Sequence, residues 1–204
     1  EENRPSSTGV PRDYYNIEMP KKMIFVVDLS VSMSEELPNR DGVRQRLERN
    51  GPRPYDFGQI TTLLDLARAE LLQAITSLRE PVRRPGRDGG STDGNEPVGD
   101  SDEAFTIISY QTDVQVWRDT LQVASAANKR AAAEWVRSAG GQGLTNIYGA
   151  LDTAFRIASG QREGRGVTTG GSQSPAQAAE AIFFLTDGFA TVGKYHNNRA
   201  ADTF

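Results

Sequence analysis

With 204 residues, a formal net charge of −4 and no cysteine, the chain can bury one good core but cannot form a disulfide, a thiolate metal site or a cysteine nucleophile. Its acidic balance argues against a nucleic-acid partner, which would call for a basic stripe. No apolar run approaches about eighteen residues, so no transmembrane helix is expected.

Residues 1–20 are polar and proline-containing, with Tyr14 and Tyr15 as their main apolar feature, and are expected as an extended lead-in to a domain spanning residues 21–204. Met23 to Val27 is a continuous apolar run rich in β-branched residues, as expected of a strand buried on both faces of a parallel sheet. Residues 35–56 are charged and broken by Pro38, Gly42, Gly51, Pro52 and Pro54, which marks an insertion with a short helical turn around Val43 to Arg49. Asp56 and Gln59, three apart, predict a capping box. Ile60, Leu63, Leu64, Ala67, Leu71, Ala74, Ile75 and Leu78 then mark one helical face, closed by Pro81. A second insertion, residues 82–103, holds almost no hydrophobe and cannot offset its ordering entropy. It is expected to be mobile, as is the Gly/Ser/Thr stretch at 164–174 within a third insertion at 161–178.

Phe105 to Tyr110 and Val114 to Trp117 read as strands, and the Gln111–Asp113 link is too short for a parallel crossover, so they predict an antiparallel hairpin. Ser125 to Ala139 is an alanine-rich helix with Ala132, Trp135, Val136 and Ala139 on one face. A third helix carries Ile147, Leu151, Ala154, Phe155 and Ala158 and stops at Gly160. Ala181 to Thr186 is the last clear buried strand. Strands alternating with helices predict an α/β fold with a Rossmann-like, doubly wound, mostly parallel sheet and one antiparallel edge strand. The expected order places Ile24–Val27 between Phe105–Tyr110 and Ala181–Thr186, with Val114–Trp117 outermost.

Three separated segments end with oxygen-bearing side chains. The first strand runs into Asp28-Leu29-Ser30-Val31-Ser32, a loop rich in Gly140, Gly141 and Gly143 delivers Thr145 at a helix mouth, and the last strand delivers Asp187-Gly188. Hydroxyls and carboxylates without nitrogen or sulfur partners suit a hard divalent cation. In a doubly wound sheet, strands ending at Asp28 and Asp187 would be neighbours at the topological switch point, where ligands bind.

A D-x-S-x-S after one strand, a Thr on a glycine-rich loop and a T-D-G after another strand, in this order, resemble the metal-ion-dependent adhesion site of the von Willebrand factor A (VWA) family. Gly143 to Tyr148, Phe184 to Gly188 and Thr191 to Tyr195 look like bacterial members, and the likeness covers roughly Lys21 to Tyr195. It implies Ser30, Ser32 and Thr145 as direct ligands of Mg²⁺, with Mn²⁺ or Ca²⁺ as substitutes. Asp28 and Asp187 would act largely through water. It further implies a coordination position open to an acidic residue of a protein partner, and no catalysis. Val31 departs from the usual small residue between the serines. The resemblance also implies two further strands, so the chain is expected to continue past Phe204; its start at Glu1 without Met is expected of an excised fragment.

Other readings stand beside this one. Asp28 alone is an ordinary polar strand end, and Thr145 with Asn146 could cap the third helix. An α/β metal-dependent hydrolase or phosphotransferase using Asp28 lacks its signatures: Ser30 replaces the second Asp of a D-x-D, and no phosphate-binding loop is present. The single His196 has no nucleophile elbow to serve. A structural VWA-like domain with a vestigial site is the remaining alternative. An extracytoplasmic location is preferred.

Overall fold

The computed structural model describes residues 12–81, 102–160, 178–188 and 191–192. The expectations of mobility at 82–101 and 164–174 lie outside these residues, as do His196 and the likeness beyond Val192.

The described part of the lead-in, residues 12–20, is more structured than its composition suggests. β1 (Asp13–Tyr14) and β2 (Ile17–Glu18) form a small antiparallel hairpin that turns through Tyr15 and Asn16, both at positive φ. Tyr14 is buried, its ring edge-on to Phe25 at 5.2 Å and to Phe183 at 5.6 Å between centroids. That geometry suits the aromatic quadrupole and pins the hairpin to the main sheet.

β3 (Lys22–Asp28) is the centre of the sheet, with all seven residues buried. β4 (Ala104–Tyr110) runs parallel on one side, with Phe25 opposite Ile107, and β7 (Ala181–Leu185) runs parallel on the other, with Phe25 opposite Phe183. β5 (Val114–Val116) returns antiparallel on the outer flank of β4. This is the order expected from sequence. An additional short strand, β6 (Gln122–Val123), pairs with the other half of that flank. Trp117 leaves the strand early and stacks on Phe105, centroids 5.3 Å apart and planes 8° off parallel.

Strand alternation splits the core in two. Met23, Phe25, Val27, Phe105 and Ile107 face α2 (Leu63–Ser77) and α3 (Ala126–Ser138), which follow α1 (Arg40–Leu47) in the chain. Ile24, Val26, Ile108 and Tyr110 face α4 (Ile147–Ala158). Each fully buried Ile, Phe or Val contributes about 1.5–3 kcal/mol of hydrophobic stabilisation. Apolar layers on both faces explain why β3 reads as an unbroken apolar run.

Two helix starts differ from expectation. Asp56 caps only a 3₁₀ turn (Phe57–Gln59), its side chain accepting from the Gly58 N–H. The capping box belongs to Thr62 and Asp65, each side chain accepting the other's backbone N–H at 3.0 Å. The apolar periodicity points to the earlier pair, but Ile60 precedes the helix and packs with Leu37, Leu47 and Phe57 rather than on the sheet-facing side of α2. At α4 the cap is Asn146, accepting from the Gly149 N–H at 2.9 Å, so Thr145 is released from that role.

The insertion at 35–56 is a third layer rather than a loose excursion. Leu37, Leu47, Phe57 and Ile60 pack on Leu66 of α2. Beneath them lies a charged clasp. The Arg53 side chain, fully buried, donates to Asp13 Oδ1 at 2.6 Å and lies 3.3 Å from Glu70 Oε1. The latter contact is Coulombic, since Arg53 Nε has no directed hydrogen bond. Glu70 also accepts from the Tyr55 hydroxyl and from the Tyr15 N–H. Hairpin, insertion and α2 are thus joined through one side chain.

Candidate metal centre

The carboxyl ends of β3, β4 and β7 lie at one edge of the sheet, and backbone hydrogen bonds lace the loops that leave them. Leu29 N–H donates to Tyr110 O at 2.8 Å, Val31 N–H to Gly143 O at 3.1 Å, and Asn146 N–H to Gln111 O at 2.9 Å. Thr145 N–H donates to Thr191 Oγ1 at 2.8 Å, and Thr191 N–H returns a bond to Thr145 O at 3.0 Å. Gly143 has φ +100, and a Cβ there would meet Thr112 Oγ1 at 2.8 Å. Only glycine adopts that turn without strain. Its carbonyl accepts from Val31 N–H, which ties the loop carrying Thr145 to the loop after β3.

Four of the five residues expected at the site form one hydrogen-bonded chain. Asp28, fully buried, accepts from Ser30 N–H at Oδ1 (2.8 Å), which folds the loop back over the strand end. Ser30 Oγ and Ser32 Oγ are 3.0 Å apart, and Ser32 Oγ donates to Asp187 Oδ1 at 3.0 Å. Ser30 and Ser32 meet because Val31 to Ser34 forms a 3₁₀ turn directly after Ser30. Thr145, itself buried, joins through its loop's backbone; among the described residues its hydroxyl bonds to none of the other four.

Two residues were missed in the sequence. Thr186, quoted only as part of T-D-G, donates from Oγ1 to Asp28 Oδ2 at 3.0 Å and also accepts from Gly188 N–H. It is the direct bridge between the ends of β3 and β7. Tyr110 lies beneath, its hydroxyl donating to Leu185 O at 3.2 Å and its ring stacked on Phe184. Burial pushes its phenol far above the ordinary range, reinforced by the nearby Asp28 charge, so it stays a neutral donor. Nothing short of the register could have flagged Tyr110, which reads as an apolar strand residue.

The electrostatics are one-sided. Burial raises the Asp187 carboxyl above its usual value; the Ser32 hydrogen bond opposes this, while the Asp28 and Glu35 charges add to it. Among the described residues, no Lys, Arg or His forms an ion pair with Asp28 or Asp187. Nor do three or more His, Cys, Asp or Glu side chains there group to hold an ion by themselves. Two crowded carboxylates, ringed by hydroxyls and without a basic partner among the described residues, fit a hard divalent cation and no soft one.

The fold is α/β and VWA-like: a mostly parallel mixed sheet, flanked by helices, with the polar cluster at the carboxyl ends of its strands. No family model matches the chain. It is similar to inter-alpha-trypsin inhibitor heavy chain H3 of Mesocricetus auratus, 34% identical over 93 residues, which is 46% of this chain and 10% of that protein. The same heavy chain of Mus musculus and of Bos taurus is 31% identical over 93 residues. The chain thus spans about a tenth of the length of these relatives.

Proposed function

We propose that this is a non-catalytic, metal-ion-dependent protein-binding module of VWA type, in which Asp28, Ser30, Ser32, Thr145 and Asp187 hold Mg²⁺. The observation that carries the reading is the Asp28–Ser30–Ser32–Asp187 oxygen cluster, acidic and lacking a basic partner among the described residues. The likeness to inter-alpha-trypsin inhibitor heavy chains, proteins with VWA domains, supports an interaction domain and an extracytoplasmic placement. Its bacterial character rests on the sequence motifs alone.

Ser30, Ser32 and Thr145 supply neutral oxygens, while Asp28 and Asp187 orient their surroundings and balance charge. Held through these neutral oxygens, a dication would supply an electrophilic centre for a partner's carboxylate. Asp28 is poorly placed for nucleophilic attack: it is fully buried, and both of its oxygens already accept hydrogen bonds. Electron paramagnetic resonance of Mn²⁺ in the presence of wild type and of Ser30→Ala/Ser32→Ala tests the ligand set. Saturable uptake by wild type and its loss in the double variant are expected; equal uptake would remove the serines from the site. Turnover of p-nitrophenyl phosphate abolished by Asp28→Asn would favour the hydrolase reading instead.

Among the described residues, no helix is long and apolar enough to cross a membrane.

A further inference from the structure

Four large hydrophobic side chains stand exposed among the described residues, and two of them adjoin this one site. Val31, 63% exposed, lies between Ser30 and Ser32, and Leu144, 50% exposed, immediately precedes Thr145. A single exposed aliphatic residue needs no explanation. These two are held in place together: Val31 N–H bonds Gly143 O at 3.1 Å, and Leu144 N–H bonds Thr112 Oγ1 at 3.0 Å. The 3₁₀ turn buries Met33 in the core while turning Val31 outward. Apolar side chains fixed beside an oxygen cluster form a rim that is buried only when something covers it.

The charge around the cluster narrows what that can be. Asp28 and Asp187 are acidic, as is the exposed Glu35, which is tied to the same loop by its N–H bond to Ser32 O at 2.9 Å. A bound dication would satisfy one partner carboxylate. Further acidic groups on the partner would face Glu35 and be repelled, which is how like charge sets specificity.

We propose that the partner segment recognised here carries one carboxylate flanked by aliphatic side chains, which pack on Val31 and Leu144, with no second acidic group beside it. The proposal rests on the metal-dependent reading above. Burying the exposed part of each rim side chain is worth about five- to tenfold in affinity.

The test is fluorescence anisotropy in Mg²⁺ with labelled Gly/Ser octapeptides carrying Leu-Glu-Leu, Ser-Glu-Ser, Glu-Glu-Glu or Leu-Gln-Leu at their centre. Mn²⁺ uptake is measured on the same protein preparations. Wild type should bind Leu-Glu-Leu at least tenfold more tightly than Ser-Glu-Ser or Glu-Glu-Glu, and should not bind Leu-Gln-Leu. Val31→Ser/Leu144→Ser should erase the preference while keeping Mn²⁺ uptake. Equal affinity of metal-loaded wild type for Leu-Glu-Leu and Ser-Glu-Ser, or no binding of either at millimolar concentration, overturns the apolar-flank assignment and leaves the metal reading standing. Absence of Mn²⁺ uptake removes the metal reading and this proposal with it.

Discussion

Replacing Arg53 by methionine tests the clasp that ties the N-terminal hairpin and the insertion to α2. The guanidinium is fully buried between Asp13, whose side chain is 7% exposed, and Glu70, which is fully buried. Arg53→Met keeps much of the aliphatic stem but leaves two carboxylates without their cation. Breaking a buried pair from one side costs about 3–5 kcal/mol, a large part of the roughly 5–15 kcal/mol that holds a domain folded. Urea unfolding followed by tryptophan fluorescence should show a midpoint lower by about 1.5–2.5 M, for an m-value of about 2 kcal/mol/M. The pH dependence gives an independent check. Burial raises the Glu70 carboxyl above its ordinary value of 4.5, opposed by the Tyr55 hydrogen bond and by Arg53. A raised folded-state value means stability is fully present below 4.5 and is lost as pH rises through the folded value. Without Arg53 that loss deepens, so the penalty of Arg53→Met should shrink on acidification towards pH 4.5. A loss below about 1 kcal/mol at neutral pH, or a penalty independent of pH, would refute the account of the clasp.

Gly143→Ala should destabilise by about 1–2 kcal/mol, because φ +100 is strained for any L side chain and the new methyl meets Thr112 Oγ1; thermal melting checks it, and an unchanged midpoint would contradict it. Asp65→Asn should cost about 1 kcal/mol at neutral pH through loss of the capping box. Burial tends to raise the Asp65 carboxyl, but hydrogen bonds from Thr61 and Thr62 outweigh it and hold it below 3.8. Its contribution is therefore present above 3.8 and lost as pH falls through the lower folded value, so the variant and wild type should converge in strong acid. Trp117→Ala should cost about 3–5 kcal/mol by emptying the stack on Phe105, measured by urea unfolding followed by circular dichroism.

The sheet was legible because burial on both faces leaves a continuous apolar run in β3, and because Gln111–Asp113 is too short for anything but a hairpin. The meeting of Asp28 with Ser30, Ser32 and Asp187 was legible from strand ends and spacing. Capping was harder. Asp56 and Thr62 both look like helix starts, and the choice is made by Glu36, which bridges Thr62, and by Leu63, whose N–H donates to Glu35 O. The clasp was invisible for a related reason. Asp13, Arg53 and Glu70 sit in three separate polar stretches, and charged residues read as solvated until a fold brings them together. Thr186 shows the limit at the site itself: hydroxyls are common at strand ends, and only the β3–β7 register points this one at Asp28.

Calorimetric titration of Mg²⁺ and Mn²⁺ into wild type and Asp28→Ala at neutral pH decides whether this oxygen cluster binds a divalent cation. Asp28 accepts from both Ser30 and Thr186 and carries charge that would balance the dication. Charge-assisted bonds are about twice as strong as neutral ones, and groups that orient metal ligands are worth about 10–100-fold in affinity. Saturable one-to-one binding by wild type and at least tenfold weaker binding by a folded Asp28→Ala are expected. No saturable uptake of either ion by wild type, or equal uptake by the variant, would contradict it.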